Sequence, residues 1–198
     1  MPKRAFDVIV AAMCLVLLAP LIALAALWVK LDSPGPALFR QERVGRGGQL
    51  FRIHKLRTMQ VDAGSRGPGI TAQHDARVTR AGLLLRRYRI DELPQFIDVL
   101  LGHMSLVGPR PELPRYVAHY PEGLRERVLS VRPGITDPAS LEFLDEAAMI
   151  AGAADPERAY IEQILPIKLQ RQAAYAQRAT LASDLIVLGR TLHVLLAR

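Results

Sequence analysis

Residues 86–114, RRYRIDELPQFIDVLLGHMSLVGPRPELP, hold two adjacent carboxylates between a group of arginines and a stiff proline-rich turn. The carboxylates are Asp91 and Glu92. Asp91 is a good N-cap residue and Pro94 suits a first helical turn, so a short helix is predicted to begin here. It is predicted to end at Gly102, a residue type that commonly terminates helices. The stretch is therefore the candidate centre of the molecule's chemistry.

The carboxylate pair has both a chemical and a purely structural interpretation. Unpaired N–H groups and the positive end of the dipole at a helix N-terminus favour an ionised Asp91, as do nearby arginines. An ionised Asp can attack phosphorus as a nucleophile, and Glu92 can hold a hard cation such as Mg²⁺ beside a diphosphate. Alternatively, Asp91 only caps the helix and Glu92 only complements its dipole. A DELPQ segment alone does not diagnose an enzyme.

Basic residues elsewhere in the chain favour the chemical interpretation. Arg110 stands between Pro109 and Pro111, whose stiffness would position a guanidinium that matches phosphate bidentately. Lys55 and Arg57 are two residues apart on a predicted strand and would share one face, where they could form a second phosphate contact. The alternatives are a rigid turn with a solvated Arg and an exposed hairpin face.

Composition points towards phosphate-bearing partners. Among 198 residues the net charge is +7, and 22 of the 26 basic residues are Arg, whose fork of donors suits phosphate. Nucleic acid, anionic lipid and nucleotide all fit, and a high-GC genome would also enrich Arg. The single cysteine, Cys14, excludes an internal disulfide and a cysteine metal cluster. The five histidines lack metal-ligand spacing, and no P-loop, Rossmann or Gly-x-Ser-x-Gly motif is present.

The N-terminus carries a membrane-inserting segment. Residues 8–29 form an uncharged run of 22 residues, which as a helix would reach about 33 Å, close to the hydrocarbon thickness. Pro20 lies near its middle and is expected to kink it. Basic residues flank both ends, so the positive-inside rule gives no orientation. A re-entrant helix and an ordinary Pro-kinked span both satisfy this pattern.

The remaining chain alternates short predicted elements with turns. Residues 37–59 predict a β-hairpin around Gly45–Gly48, and 60–75 a mobile loop. Further predicted elements are helices over 77–89 and 115–130, irregular segments over 107–114 and 131–136, helices from 139 onward broken at Pro156 and Pro166, and a core or membrane-surface helix over 180–197.

Together these elements predict an α+β fold that is mostly helical. It comprises a kinked N-terminal membrane helix over residues 1–31, a small β-hairpin, the carboxylate-bearing helix start and amphipathic interfacial helices. Residues 32–198 are expected to form one structural unit on the membrane surface.

A set of motifs in a fixed order gives a more specific indication. They are the apolar helix with Pro20, then Ser33-Pro34-Gly35-Pro36 with Phe39, Gln41, Arg43 and Gly45, then Phe51, Lys55-Leu56-Arg57-Thr58-Met59, Arg77-Val78-Thr79-Arg80, Asp91-Glu92-Leu93-Pro94-Gln95, Met104-Ser105-Leu106-Val107-Gly108-Pro109-Arg110-Pro111 and Arg132-Pro133-Gly134-Ile135-Thr136. With these motifs, residues 3–140 resemble the bacterial sugar transferase family, the small monotopic phosphoglycosyl transferases. Each motif is weak alone, but their order is highly specific.

The resemblance implies a reaction and a location. Such enzymes transfer a phosphosugar from a UDP-sugar to undecaprenyl phosphate and release UMP, which initiates assembly of a surface glycan or glycoconjugate. The resemblance also implies a re-entrant helix kinked near Ala19-Pro20, with both ends on the cytoplasmic face of the bacterial inner membrane. The expected partners are therefore the UDP-sugar, undecaprenyl phosphate and the lipid bilayer, without nucleic acid.

The same resemblance assigns roles to individual residues. Asp91 would form a covalent phosphosugar intermediate, and Glu92 would coordinate the cofactor Mg²⁺. The implied substrate-binding residues are Lys55, Arg57, Arg86, Pro109, Arg110, Pro111 and Arg132.

The sequence departs from the common family pattern in two places, one segment and one single position. Many members have Gly-Trp-Ala-Gln where this chain has Asp137-Pro138-Ala139-Ser140, and Asn is frequent at the position of Asp98. The first departure leaves the sugar and the role of this loop open. By the same resemblance, the chain is expected to be a minimal catalytic unit without the extra N-terminal spans of larger relatives.

Two further hypotheses remain at this stage. One is a non-catalytic, membrane-anchored basic module that binds anionic lipid or nucleic acid, whose binding would weaken steeply with salt. The other is a degenerate family member that acts only as an assembly partner, although the intact carboxylate pair and Arg110 disfavour it. The sequence leaves the sugar, the glycan pathway and the oligomeric state undetermined.

Overall fold

The structure, a computed structural model, describes residues 2–63, 75–144, 146–150 and 152–197. It confirms a mostly helical α+β chain with a long apolar N-terminal helix and a small hairpin. The helices are α1 (Pro2–Asp32), α2 (Arg80–Arg87), α3 (Gln95–Leu100), α4 (Pro114–Val117), α5 (Glu122–Leu129), α6 (Pro138–Glu142), α7 (Glu146–Met149), α8 (Pro156–Ala159), α9 (Leu165–Arg178) and α10 (Leu181–Leu196). The strands are β1 (Leu38–Val44), β2 (Leu50–Leu56), β3 (Ser105–Val107) and β4 (Gly134–Thr136).

Helix α1 is one continuous helix that includes Pro20. Its 31 residues span about 46 Å at about 1.5 Å per residue. It is the one helix in the described part of the chain that is long and apolar enough to cross a membrane. Much of its surface is exposed and apolar, including Ile9, Met13, Val16, Leu17, Leu21, Leu24, Leu27, Trp28 and Leu31. A change of direction at Pro20 stays a prediction.

The N-terminal end of α1 is fastened to the rest of the molecule by polar contacts. Lys3 Nζ donates to Val107 O at 3.1 Å and forms an ion pair with Asp184 of α10. The buried carboxylate of Asp7 accepts a hydrogen bond from Ser105 Oγ at 2.7 Å. A charged group this well buried requires such partners, so the first two turns of α1 are fixed against β3.

The C-terminal end of α1 is fastened separately, through Arg57. This guanidinium donates to Ser33 O at 2.8 Å, to Ser33 Oγ at 2.6 Å and to Pro36 O at 2.7 Å. It also donates to Val29 O at 3.4 Å, within the last turn of α1. A cation at this place satisfies free carbonyl groups and complements the helix dipole. Both ends of α1 therefore contact the same folded body.

The predicted hairpin is confirmed. Strands β1 and β2 pair antiparallel, with Phe39 opposite Lys55 and Val44 opposite Leu50. The connecting turn includes Gly47 and Gly48 with φ values of +67° and +81°, which glycine adopts without a steric penalty. Of the loop predicted over residues 60–75, positions 64–74 lie outside the described residues.

The segment around the carboxylate pair differs from the predicted helix start. Helix α2 is shorter than predicted, and Arg89 takes a left-handed conformation with φ 54°. A 3₁₀ turn follows over Ile90–Glu92, and α3 begins only at Gln95. Pro94 has no N–H to donate to the carbonyl four residues back, which would carry an α-helix forward. Asp91 thus lies inside a 3₁₀ turn instead of acting as an N-cap.

A second short sheet was not predicted. Strands β3 and β4 pair in parallel, with Ser105 opposite Gly134. The segment 131–136, predicted as a loop, therefore contains a strand. At its end a Cβ on Gly108 would lie 2.3 Å from Arg132 O, and a Cβ on Gly134 would lie 2.1 Å from Gly108 N. Only glycine permits this backbone approach, which fixes the start of the Gly-Pro-Arg-Pro turn.

The C-terminal half is largely helical, as predicted, but more finely divided. The helix predicted over 115–130 is two helices, α4 and α5, separated around Pro121. A π-helical segment, Tyr160–Ile164, leads directly into α9. Helix α10 buries Asp184 and Val187, while its exposed apolar residues are Leu185, Ile186, Leu192 and Leu196. This two-sided character agrees with a core or membrane-surface helix.

Candidate active site

Strand β2 and the 3₁₀ turn bring Lys55 against both carboxylates. Lys55 Nζ lies 2.9 Å from Asp91 Oδ2 and 3.2 Å from Glu92 Oε1. The side chain of Asp91 is almost completely shielded, with the residue only 2 % exposed. A buried carboxylate must be paired to be retained, and here one ammonium group pairs two of them.

Arg110 forms a second, forked contact with the pair. Its Nη1 donates to Glu92 Oε2 at 3.2 Å, and its Nη2 donates to Glu92 Oε1. Arg89 Nη1 adds a contact of 3.5 Å to Glu92 Oε2. Burial alone would raise the pKa of Glu92, but the charges of Arg110, Lys55 and Arg89 outweigh it and hold this pKa well below its usual range. Glu92 in turn raises the pKa of Arg110.

The backbone of Arg110 is held by Asp137. Arg110 N donates to Asp137 Oδ2 at 2.7 Å, and the same oxygen accepts from Gln172 Nε2 of α9 at 2.9 Å. Asp137 Oδ1 accepts from Ser140 N and thereby caps α6. Asp137, which belongs to the segment that departs from the family pattern, therefore positions Arg110, the candidate phosphate-binding residue.

Glu112 fastens the other side of the same turn. Its Oε1 accepts from Tyr160 OH at 2.6 Å and lies 3.4 Å from Lys168 Nζ. Arg43 Nη1 lies 3.7 Å from Glu112 Oε2 and donates to Pro111 O at 3.0 Å. Burial raises the pKa of Glu112, but the charges of Lys168, Arg43 and Arg110 and the hydrogen bond from Tyr160 together hold this pKa below its ordinary value. Charged anchors therefore hold the turn on both sides.

A cavity of about 550 Å³ opens beside these residues. This volume suits a small organic ligand. Its apolar and uncharged lining includes Phe39, Gln41, Ile53, Met59 and Gln95. Its basic lining consists of Arg40, Arg43, Lys55, Arg57, Arg77, Arg86 and Arg110, and no carboxylate lines it among the described residues. Such a surface favours a ligand with several negative charges, for example a diphosphate.

The structure brings most of the predicted substrate-binding residues together. Lys55, Arg86, Arg110 and Pro111 line the cavity, and Pro109 is adjacent in the same turn. Burial lowers the pKa of Arg86, while the charge of Asp91 opposes that effect. Proximity to the cavity agrees with substrate binding, which itself stays a prediction for each residue.

Arg132 is placed differently. Its Nε donates to Gly102 O at 2.9 Å, and it is not among the described residues that line the cavity. This contact joins the segment before β4 to the end of α3. A substrate contact for Arg132 stays a prediction.

Arg57 lines the cavity, but its hydrogen bonds go to backbone oxygens and to Ser33. It is only 4 % exposed. We expect Arg57→Met to lower the free energy of unfolding by about 3 kcal/mol, because several buried carbonyl groups lose a charged donor. Arg40→Met is the matched control, because Arg40 is exposed and donates only to Arg52 O in the described contacts. Thermal unfolding of both variants measures the difference. An unchanged melting temperature with weaker UDP-sugar binding would instead identify Arg57 as a substrate contact.

The residues at the site can supply only part of the coordination sphere of a divalent cation. No group of three or more Asp, Glu, His or Cys side chains converges in the described part of the chain. However, the Lys55 ammonium lies between one oxygen of Asp91 and one of Glu92, so these carboxylates already share a cation position. Mg²⁺ often takes one or two carboxylates and completes its shell with water and substrate phosphates. The donor set fits that mode.

Several residues at the site were not predicted from the sequence as functional. Arg43, Gln95 and Glu112 contact the cavity or its supporting turn. Of these three, only Gln95 has a sequence position that suggests a role at the site, because it follows Asp91 by four residues. The contacts of Glu112 and Asp137 depend on α9, some 35 to 56 residues further along the chain.

Comparison with known proteins identifies the family of this chain. The model of the family described as "Bacterial sugar transferase" matches residues 1–198. The chain belongs to the bacterial sugar transferase family, as the motif order predicts.

Individual relatives carry related names. The chain is 36 % identical over 196 residues to an Aeromonas hydrophila protein named UDP-N-acetylgalactosamine-undecaprenyl-phosphate N-acetylgalactosaminephosphotransferase, covering 98 % of this chain and 43 % of that one. It is 48 % identical over 144 residues to a UDP-glucose:undecaprenyl-phosphate glucose-1-phosphate transferase of Caulobacter vibrioides, covering 72 % and 54 %. A Bacillus subtilis protein named putative undecaprenyl-phosphate N-acetylgalactosaminyl 1-phosphate transferase is 46 % identical over 118 residues, covering 60 % and 66 %. The chain thus spans less than two thirds of the length of each of these relatives.

Proposed function

We propose that this protein transfers a phosphosugar from a UDP-sugar to undecaprenyl phosphate and releases UMP, as the initiating step of surface glycan or glycoconjugate assembly. The observation that carries the proposal is the pairing of Asp91 and Glu92 with Lys55 and Arg110 beside a cavity lined by cations. Family membership and the names of the relatives support the same reaction class.

The first half of the reaction uses Asp91 as nucleophile. A carboxylate oxygen of Asp91 attacks the sugar-bearing phosphorus, and the bond from that phosphorus to the bridging oxygen breaks. The electron pair stays on the bridging oxygen, which leaves as part of UMP. The product is an aspartyl phosphosugar. Lys55 forms an ion pair with Asp91 in the resting protein. When the UDP-sugar binds, the Lys55 ammonium group must leave Asp91 and contact an oxygen of the substrate instead.

The second half restores the enzyme. An oxygen of the undecaprenyl phosphate attacks the same phosphorus, and the bond to Asp91 breaks, which returns its carboxylate and yields the polyprenyl diphosphosugar. The two substrates use one site in turn, so a soluble donor and a membrane-bound acceptor need not bind together. A covalent carrier on a buried side chain also limits loss of the phosphosugar to water.

The surrounding cations stabilise the charge that develops on phosphate oxygen. Arg110 presents a fork held by Pro109, Pro111 and Asp137, and preorganised donors of this kind contribute most in a shielded site. Lys55 and Arg86 add positive charge from β2 and α2. Mg²⁺, held by Glu92, would neutralise the diphosphate and promote departure of UMP.

We further propose that α1 is re-entrant and that the protein is monotopic on the cytoplasmic face of the inner membrane. Residues 1–31 then form the membrane segment and residues 32–198 the catalytic unit. The contacts at both ends of α1, through Lys3 and Arg57, support this arrangement, because a straight span would separate its ends by the bilayer. The exposed apolar residues of α10 would lie at the same surface.

Release of UMP tests the proposed reaction directly. Protein in lipid nanodiscs with Mg²⁺ is mixed with undecaprenyl phosphate and, separately, with UDP-glucose, UDP-N-acetylgalactosamine and other UDP-sugars. We expect strong UMP release with one donor or a small set, dependent on the lipid phosphate for multiple turnovers. Absence of UMP with every donor, from folded protein, would contradict the proposal. Salt-sensitive binding to anionic vesicles without any turnover would then favour the non-catalytic module.

A further inference from the structure

A buried glutamine beside the carboxylate pair lacks partners within the protein. Gln95, the first residue of α3, is 1 % exposed and lines the cavity. Neither its side-chain Nε2 nor its Oε1 has a hydrogen-bond partner in the described part of the chain. Buried polar groups are nearly always paired, because an unpaired one destabilises the folded state. Two such atoms on one side chain at a cavity wall indicate a ligand that would pair them.

The chemistry of the amide restricts that ligand. The Nε2 group donates and Oε1 accepts, so a full partner must both accept and donate. A phosphate group that only accepts would satisfy Nε2 and leave Oε1 unpaired. A metal ion would satisfy Oε1 alone. Sugar hydroxyl and acetamido groups do both, as does the edge of a uracil base.

Position separates the sugar from the base. Gln95 follows Asp91 by four residues. The 3₁₀ turn ends at Glu92, and only Leu93 and Pro94 separate it from Gln95, so the two side chains belong to one compact segment. In the proposed reaction the sugar is bonded directly to the phosphorus that Asp91 attacks. The uracil is separated from that phosphorus by a second phosphate and a ribose. The group nearest to Gln95 is therefore the sugar.

We propose that the Gln95 amide binds polar substituents of the sugar ring of the UDP-sugar, both donating and accepting a hydrogen bond. This inference rests on the proposed function and names a contact within it. Because the sugar stays on the phosphorus after UMP leaves, the same amide holds it in both halves of the reaction.

A matched pair of variants tests the proposal. Gln95→Leu removes both polar atoms at similar volume. Gln172→Leu is the control, because Gln172 is also 1 % exposed but donates to Asp137 Oδ2 within the protein. Replacing an unpaired amide with an apolar group is neutral or stabilising, whereas replacing a paired one is destabilising. We expect the melting temperature to stay the same or rise for Gln95→Leu and to fall for Gln172→Leu.

Kinetics with the best donor of the UDP-sugar series provide the second measurement. For Gln95→Leu we expect kcat/KM for the UDP-sugar to fall by about 10- to 100-fold, because two hydrogen bonds between neutral groups are lost and each has a modest net value. UDP lacks the transferred sugar, so its inhibition constant as a competitive inhibitor is expected to change by less than about twofold.

Each other outcome has a definite meaning. An unchanged kcat/KM for Gln95→Leu would contradict the contact between Gln95 and the sugar. If kcat/KM and inhibition by UDP fell together, Gln95 would instead bind the nucleotide. A melting temperature that falls as far as that of Gln172→Leu would identify Gln95 as a structural residue. Wild-type protein that releases no UMP from any donor would instead refute the proposed function, a result distinct from all of these.

Discussion

Asp91→Asn is expected to abolish UMP release while the protein still folds and enters the membrane. The substitution keeps the shape of the side chain but removes the nucleophilic oxygen charge, so we expect the turnover rate to fall by at least about 10⁴-fold. Folding should survive, because Lys55 keeps its contact of 3.2 Å with Glu92 when Asp91 loses its charge. UMP release in nanodiscs and thermal unfolding measure the two effects.

Asp98→Asn is the matched control. Asp98 is also a buried carboxylate, seven residues further along, but its oxygens accept from His54 N and pair with His54 Nδ1 at 2.8 Å each, and it is not among the described residues that line the cavity. Asn is also frequent at this position in the family that the sequence resembles. We expect this variant to keep most of the activity. Comparable loss in both variants would mean that neutralising a buried carboxylate damages the fold.

The covalent step has its own measurement. Wild-type protein incubated with the UDP-sugar but without lipid phosphate should release about one UMP per enzyme and gain the mass of one phosphosugar on the peptide that contains Asp91. An acyl phosphate is cleaved by hydroxylamine, which should remove this mass. Substantial turnover by Asp91→Asn, or lipid-dependent turnover by the wild type with no burst and no adduct, would refute the nucleophile assignment.

Arg110→Met is expected to damage both stability and activity. Removal of Arg110 leaves the buried Glu92 carboxylate with Lys55 and Arg89 but without its forked partner, and loss of hydrogen bonds to a charged group is expected to lower the free energy of unfolding by about 1.5–3 kcal/mol. Loss of a preorganised donor at the phosphate is expected to reduce kcat by about 10²- to 10³-fold. Arg115→Met, which removes a half-exposed arginine of α4 that pairs with Glu157, should leave both nearly unchanged.

The pH dependence of stability separates the ion pair from simple packing. In the wild type the pKa of Glu92 lies well below its ordinary value of 4.5. Its contribution to stability is therefore present above about pH 4.5 and is lost as pH falls through the lowered value. In Arg110→Met this pKa rises, so acid unfolding should begin at a higher pH. An acid-unfolding midpoint equal to that of the wild type would show that Arg110 does not hold the Glu92 charge.

Local chemistry explains which elements the sequence could predict. The uncharged run of α1, the alternating hairpin with Gly47 and Gly48, and the helix stop at Gly102 each depend on neighbouring residues, and all three are present. The pairing of β3 with β4 joins segments about 29 residues apart, and a three-residue parallel strand has no local pattern. The left-handed Arg89 likewise has no local sequence signal, because non-glycine residues seldom adopt that conformation.

The candidate site shows the same division. Asp91, Glu92 and Arg110 were predicted from their own motifs, and the structure places them in mutual contact or adjacent in the chain. Their supports were not predicted, since Asp137 acts on Arg110 through its backbone and Gln172 acts on Asp137 from α9. A buried carboxylate that positions a distant turn looks like any other helix cap in the sequence.

In the proposed arrangement, the double attachment of α1 sets how the protein would meet its two substrates. Because Lys3 and Arg57 tie the two ends of α1 to one body, the proposed membrane segment would hold the cavity at a fixed distance from the bilayer and would not act as a flexible stalk. In the proposed arrangement the lipid phosphate is sought by lateral diffusion in a plane, while the nucleotide sugar arrives from the volume above it. The membrane segment would thereby restrict the encounter with the lipid phosphate to two dimensions, whereas the encounter with the nucleotide sugar stays three-dimensional. It would also keep the cavity at a fixed distance from the membrane surface.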